Sequence, residues 1–259
     1  MTQSTTADRW QDCDLAVVDV ETTGLDPRND RIIEIAVIHM RGGETIESWG
    51  RLIDPGIPIP EDVVKLTGIT QAQVDGQPRF EALAAEIRAR LEGKVAVAYN
   101  LPFDRGFITA ELERAGTTWP DVPALDPLVF ARELQKEAGS KRLGSVAERL
   151  GIELKEAHRA TDDARVAGLV LYAFRGQIPD RLEELVALQQ VWSQRQEREL
   201  AARRRRRGGE DAFAELQPKA SGPVGDGTLI ALGPAYVYGD EPDPIRFFYK
   251  QLPDIGARR

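Results

Sequence analysis

Residues 15 to 25 read Leu-Ala-Val-Val-Asp-Val-Glu-Thr-Thr-Gly-Leu. The run from Leu15 to Val18 is apolar and β-branched, the composition of a buried strand. Asp19 and Glu21 interrupt it two residues apart, and alternation along a strand puts both carboxylates on one face. Two ionised carboxylates at the end of a core strand repel one another and resist desolvation, so something positive is expected between them. A divalent metal ion meets that need. Taken alone, the pair also fits a strand end where Glu21 simply turns into solvent. What the rest of the chain places beside these residues decides between the two.

Working outward, Asp26-Pro27-Arg28-Asn29-Asp30 is a dense turn signal, and Arg31 to His39 returns as a second strand. Gly42-Gly43 turns into a third, Thr45 to Leu52, completing an antiparallel meander. Asp54 to Pro60 is an extended loop with three prolines, leading to a short helical piece from Glu61. Phe80, Leu83, Ala84, Ile87 and Leu91 fall at helical spacing, and Gly93 ends that helix. Val95 to Tyr99 is a continuous apolar run, expected as a central strand. Asn100 to Asp104 leads into a helix through Leu112, Asp121 to Asp126 is a connection, and helices are expected over Leu128 to Leu134 and around Leu143 to Leu150. His158-Arg159-Ala160-Thr161-Asp162-Asp163 precedes a helix with Val166, Leu169, Val170, Ala173 and Phe174 on its apolar face. Strands first, then helices alternating with one more strand, predict an α/β fold with a mixed sheet flanked by helices.

Composition narrows the field. The chain has 259 residues, 42% of them apolar and 29% charged, as in an ordinary globular protein. Its single cysteine, Cys13, excludes an intramolecular disulfide and reads as a small buried hydrophobe. No apolar run approaches the roughly 20 residues that span a bilayer. Met1 to Asp12 lacks the pattern of a signal peptide, so a cytoplasmic location is expected. The formal net charge of −8 argues against whole-surface binding to nucleic acid. It leaves room for a nucleic-acid enzyme whose carboxylates are cancelled locally by bound ions.

The expected organisation is a flexible stretch over residues 1–12, a main domain over 13–176, a long helix with a basic end over 177–207, a linker over 208–227 and a small segment over 228–259. The helix has Leu182, Leu185, Val186, Leu188 and Trp192 as an apolar stripe that fades into Arg203 to Arg207. Five adjacent arginines circle a helix, so a solvated helix end and a contact with something anionic both fit.

Three motifs now align. Val17-Val18-Asp19-Val20-Glu21-Thr22-Thr23-Gly24-Leu25 resembles the first motif of the DEDDh 3′ to 5′ exonucleases, a group that includes the proofreading epsilon subunit of bacterial DNA polymerase III and ribonuclease T. Ala98-Tyr99-Asn100-Leu101-Pro102-Phe103-Asp104 is similar to the second, and His158 to Ala164, with Asp163 five positions after His158, to the third. Each motif alone is weak, but three in the family's order are a strong signal.

The resemblance implies a ribonuclease H-like fold over roughly residues 13–176, with Asp19, Glu21, Asp104 and Asp163 as metal ligands and His158 as general base. Four carboxylates suit Mg²⁺ or Mn²⁺, and two such ions about 4 Å apart serve in-line displacement at phosphorus. Thr22, Thr23, Gly24, Leu25, Asn100 and Phe103 are implied as substrate contacts. The implied reaction releases nucleoside 5′-monophosphates from single-stranded or frayed DNA ends, in proofreading or repair. An exoribonuclease acting on RNA is the alternative within the class. A scaffold in which residues 177–259 bind a polymerase or another protein is the alternative outside it. Two positions depart from the family's spelling: Tyr99 stands for its histidine before Asn100, and Thr67 for the histidine before Gly68-Ile69-Thr70. Asp126 and His39 are read as structural.

Overall fold

A computed structural model describes residues 9–155 and 157–214, the last eleven of these as main chain only. After a single 3-10 turn, Trp10–Asp12, the strands β1 (Leu15–Thr22), β2 (Ile32–Arg41) and β3 (Glu44–Leu52) form the expected meander. Three helices follow, α1 (Glu61–Thr67), α2 (Gln71–Val74) and α3 (Phe80–Leu91). Then come β4 (Val95–Val97), α4 (Leu101–Arg114), β5 (Ala124–Leu125), α5 (Pro127–Leu134), α6 (Leu143–Arg149), α7 (Ala160–Ala173) and α8 (Leu182–Ala214).

The five strands lie in the order β3-β2-β1-β4-β5. β1 pairs antiparallel with β2 and parallel with β4, and β4 pairs parallel with β5. This is the mixed sheet that the order of elements predicts. β5 falls in a stretch expected as connection; two residues have no periodicity to read, and pairing with Ala96 and Val97 makes them a strand.

Alternation along β1 sorts the core into two layers. Leu15 and Val17 join Ala36, Ile38 and Met40 against α7, including Val166, Val170 and Leu171. Ala16, Val18 and Val20 pack on the other face against Phe80, Ile87, Phe107 and Leu112 of α3 and α4. Asp19 and Glu21 therefore continue the face covered by α7, where its first turn arrives. Contact there is close: a Cβ on Gly168 would lie 2.4 Å from Met40 Sδ and 3.0 Å from Val17 Cγ2.

Three expectations need correction. Trp10, in the stretch read as flexible, is fully buried; its Nε1–H donates to the Pro179 carbonyl at 3.1 Å and its ring lies 5.2 Å from that of Tyr172. A polar neighbourhood hid it, because its partners lie about 170 positions away in sequence. The linker expected from residue 208 begins as helix, since α8 runs to Ala214 through Gly208-Gly209; its remainder and the segment 228–259 lie outside the described residues. Third, the first half of α8 is part of the main domain. Leu185 is fully buried in the α7-side core, and Trp192 packs edge-on against Phe130 at 6.1 Å. Glu133 ties α5 to α8: hydrogen bonds from Arg195, Lys136 and Gln196 outweigh its burial and hold its carboxyl down to about 2.

Replacing Leu185 by Ala should cost about 2–5 kcal/mol, the range for a buried leucine truncated to a cavity. Urea unfolding checks this, and a loss below about 0.5 kcal/mol, typical of surface sites, would place α8 outside the cooperative unit.

Candidate active site

The site forms where the strands end. β4 pairs with β1 only as far as Val17, so the last residues of β1 face a gap beside the shorter strand. Crevices at the carboxyl ends of parallel strands are where open α/β sheets bind ligands. Asp104, in the first turn of α4, fills this gap: it is 3% exposed and its Oδ1 accepts the Val20 N–H at 3.0 Å. The turn that aims it passes through Asn100, which adopts φ 76° and ψ 52°. Asparagine tolerates this left-handed conformation better than most residues. The Asn100 and Leu101 N–H groups donate to the two Asp126 oxygens at 2.9 and 3.1 Å, and Asp126 also accepts the Leu128 N–H to cap α5. Asp126 is thus structural, as expected.

The third motif arrives from α7. His158 sits at φ 63°, and its N–H donates to Asp163 Oδ2 at 2.8 Å. Its neighbour Asp162 accepts the Lys155 N–H at 2.6 Å and both the Nε and Nη2 of Arg165. The two adjacent aspartates thereby separate: Asp162 is neutralised by an arginine and Asp163 is not. Ligand atoms of Glu21, His158 and Asp163 all lie within 4.8 Å of one another. Asp19, two residues before Glu21 on the same face, has its proton affinity raised by the charges of Asp104, Asp163 and Glu21.

Crowding shows in the proton affinities. Burial, then the charges of Asp104, Asp163 and Glu21, raise Asp19 well above the ordinary carboxyl range. Glu21 is pushed up to about 8 by burial and then by Asp163, Glu34 and Asp104. Asp163 rises to about 7, mainly through burial, although the His158 N–H works against it. Asp104 is raised by burial despite its hydrogen bond from Val20. His158 is lowered by burial and by Arg142, which favours the neutral imidazole.

Glu34 is the residue that sequence reasoning missed. It lies directly opposite Glu21 in the β1–β2 ladder and is 5% exposed. Like charges at such a pair destabilise a sheet. Here Arg159 donates to both Glu34 oxygens, at 2.9 and 3.3 Å, and the Ala160 N–H donates at 3.1 Å. The pair straps the start of α7, and with it the His158 loop, to the sheet. A lone carboxylate inside Ile32-Ile33-Glu34-Ile35-Ala36 was a readable signal; its partner was not.

The implied substrate contacts divide. Thr22 and Thr23 are buried, and their hydroxyls serve the loop itself: Thr22 donates to the Gly24 carbonyl at 2.5 Å, while Thr23 accepts the Arg31 N–H at 3.0 Å. Gly24 is required by Asp30, whose carboxylate lies 2.4 Å from where a Cβ would stand. Leu25 is half-buried. Phe103, also half-buried, leans on the fully buried Phe107 with centroids 5.0 Å apart. Tyr99, which replaces the family's histidine, donates its hydroxyl to the Lys141 carbonyl. Thr67 caps its own helix end, donating to the Val63 carbonyl at 2.9 Å and accepting the Ile69 N–H at 3.1 Å. His39 bonds Glu47 and the Arg90 carbonyl and is structural.

Residues 16–171 match the Exonuclease family of the RNase_T type. The chain belongs to that family. It is 38% identical over 160 residues to the PolC-type DNA polymerase III of Clostridium perfringens, and 37% identical over 155 residues to the 3′-5′ exonuclease DinG of Bacillus subtilis. These matches cover 62% and 60% of this chain but only 11% and 17% of those proteins. Among solved structures, E. coli exonuclease I with single-stranded DNA aligns at TM-score 0.58 and 22% identity, covering 64% of this chain and 41% of that one. Exonuclease X with 5′ overhanging duplex DNA aligns at TM-score 0.54 and 20% identity, covering 68% and 99%. These likenesses establish the exonuclease fold.

A divalent ion fits the family's cluster. Its carboxylate oxygens are the donors that hard cations prefer, and the one imidazole beside them, His158, is not needed as a ligand. Its proton affinities are those of carboxylates lacking a counter-charge, since the nearby Arg159 is engaged with Glu34.

Because the folded-state values of Glu21 and Asp163 lie above the ordinary carboxyl values, the folded protein binds more protons than the unfolded chain. Stability of the metal-free protein should therefore fall as pH rises from about 4 through about 7 to 8. Thermal melts in EDTA at both ends of this window test it: Mg²⁺ or Mn²⁺ should restore the loss at high pH and do little at low pH. Glu21→Gln should flatten the dependence, and an equally steep curve in that variant would refute the assignment.

Proposed function

We propose that this chain is a metal-dependent 3′ to 5′ exonuclease that releases nucleoside 5′-monophosphates from single-stranded or frayed DNA ends. The observation that carries the reading is the convergence of Glu21, His158 and Asp163 within 4.8 Å at the end of β1, with Asp104 and Asp163 close enough to Asp19 for their charges to raise its proton affinity.

In this reading Asp19, Glu21, Asp104 and Asp163 hold two divalent ions, Mg²⁺ or Mn²⁺. When bound, the ions supply charge neutralisation at the attacking and leaving oxygens of the phosphodiester. The protein's own contribution begins with His158. A neutral imidazole accepts a proton, and the burial that lowers His158 keeps it neutral at pH 7. Its ring takes a proton from the attacking water as the water oxygen bonds to phosphorus and the bond from phosphorus to the 3′-oxygen of the penultimate nucleotide breaks. The phosphate departs with the terminal nucleotide, and the 3′-oxygen, protonated from solvent, stays on the shortened strand. The ring's placement depends on the His158 N–H bond to Asp163 and on the Arg159–Glu34 strap one residue later. Burial of the carboxylates keeps their oxygens in place before substrate arrives, the preorganisation on which electrostatic catalysis rests.

Substrate is held by the main chain of Thr22 to Leu25, whose side-chain hydroxyls are occupied in shaping that loop, and by Asn100 and the half-buried Phe103. A duplex end must unpair to reach these groups, which favours single strands. DNA is preferred as substrate because the sequence relatives are a DNA polymerase and a 3′-5′ exonuclease. Proofreading or repair is the setting we propose for it.

The test is degradation of 5′-labelled DNA and RNA strands of one sequence, with Mg²⁺, with Mn²⁺ and with EDTA. A ladder shortening from the 3′ end should need metal and vanish in Asp19→Ala. His158→Ala should lower kcat by about 10²–10⁴, the usual contribution of a general base. Faster loss of RNA would make the chain an exoribonuclease, and intact strands with well-folded protein in every metal would end the catalytic reading.

A further inference from the structure

α8 outruns the domain it is anchored to. It starts beside the 3-10 turn, where the Trp10 N–H donates to the Asp180 carbonyl at 3.0 Å, at the end of the sheet where β1 begins. By Gln189 it is level with the far end of β5: Gln189 Nε2 donates to the Ala124 carbonyl at 3.1 Å and its Oε1 accepts the Asp126 N–H at 2.6 Å. The helix therefore runs in the direction of β1, β4 and β5 and passes the end of the sheet that carries the acidic cluster. Gln196, which donates to the Val129 carbonyl at 3.0 Å, is its last buried residue. Glu197, Arg198, Glu199 and Ala201 to Arg203 are exposed, and the helix continues to Ala214. Eighteen residues from Gln196 to Ala214 at 1.5 Å each reach about 27 Å.

We propose that this projection is an arm that holds the phosphate backbone of the single-stranded nucleic acid whose 3′ end occupies the site, a proposal that rests on the function given above. Its charge comes from the sequence, which places five consecutive arginines, Arg203 to Arg207, on the projecting part. Like charges one turn apart oppose helix formation, and a polyanion removes that opposition. Three cations of the domain are engaged by its own carboxylates, Arg159 by Glu34, Arg165 by Asp162 and Arg31 by Glu111, while the exposed Arg142 lies close enough to His158 to lower its proton affinity. For a substrate of like sign to a chain of net charge −8, arginines on the helix beyond the domain add attraction past the end of the sheet that carries the cluster.

The experiment compares the full chain with a full-length variant carrying Arg203 to Arg207 all as Gln. Binding of a 5′-labelled single strand of about 30 nucleotides is measured in EDTA, which prevents turnover, over a range of salt. Each phosphate contact contributes about 0.7 to the slope of log affinity against log salt, so losing three contacts should flatten it by about 2. With metal restored, KM for the long strand should rise about tenfold or more at physiological salt. Turnover of a dinucleotide, which fills only the site, should stay within about twofold. An unchanged slope with an unchanged KM would overturn the arm and leave the arginines to an acidic protein partner. Failure of the unaltered chain to cleave the dinucleotide and the long strand alike would overturn the exonuclease reading instead, whatever the binding slopes.

Discussion

Like charges must be kept close together in a confined space, and most of this fold can be understood as the means of doing so. Asp19, Glu21, Asp104 and Asp163 come from three separated stretches of chain, and each carries a raised proton affinity that records the cost of their proximity. A flexible frame would relax by letting them drift apart. This one is prevented from doing so by apolar packing on both faces of β1 and by one hydrogen bond at each arriving element. Val20 fixes Asp104, and the His158 N–H fixes Asp163. His158 is held at positive φ, a conformation that costs free energy and persists where its surroundings determine it.

The same constraint explains which acids are structural. Glu21 and Glu34 face each other across one ladder, yet only Glu34 has an arginine and a helix N–H. Asp162 and Asp163 are adjacent, yet only Asp162 has Arg165. Asp126 is buried and raised to about 6, but three backbone N–H groups spend its oxygens on the turns around it. A carboxylate that already has its positive partners is part of the frame. Glu21 and Asp163, each beside an acid held by an arginine, are the ones whose ligand atoms converge with those of His158.

Much of the frame was legible because its signals are local. The meander follows from turn residues between β-branched runs, and the spacing of Phe80, Leu83, Ala84, Ile87 and Leu91 predicts α3 over the span it occupies. The candidate acidic set is read from motif order, and the structure brings Glu21 and Asp163 of it together beside His158. What escaped depends on register and distance. Glu34 becomes part of the strap only when the β1–β2 register sets it opposite Glu21 and α7 brings Arg159 back across 125 positions. Trp10 gains its role from Pro179 and Asp180, which no local pattern announces. Gly24, implied by the motif as a substrate contact, also leaves space for the Asp30 carboxylate, a neighbour that its own motif does not name. Gly208-Gly209 looked like a break, whereas the helix continues through it.

α8 joins these two accounts. Gln189 accepts the Asp126 N–H, Asp126 in turn holds the Asn100 and Leu101 N–H groups, and that turn aims Asp104 into the gap beside β1. One short relay of hydrogen bonds thus fixes both the direction in which the helix leaves the domain and the position of a carboxylate in the cluster. Each link is buried or partly buried, where an unmade hydrogen bond costs more than a made one contributes, so the links tend to form together. The result is a set orientation between the acidic cleft and the helix that passes it. In the function proposed above, a single anionic strand meets the carboxylates at one end of this relay and the arginines beyond the other, and a fixed spacing lets it reach both.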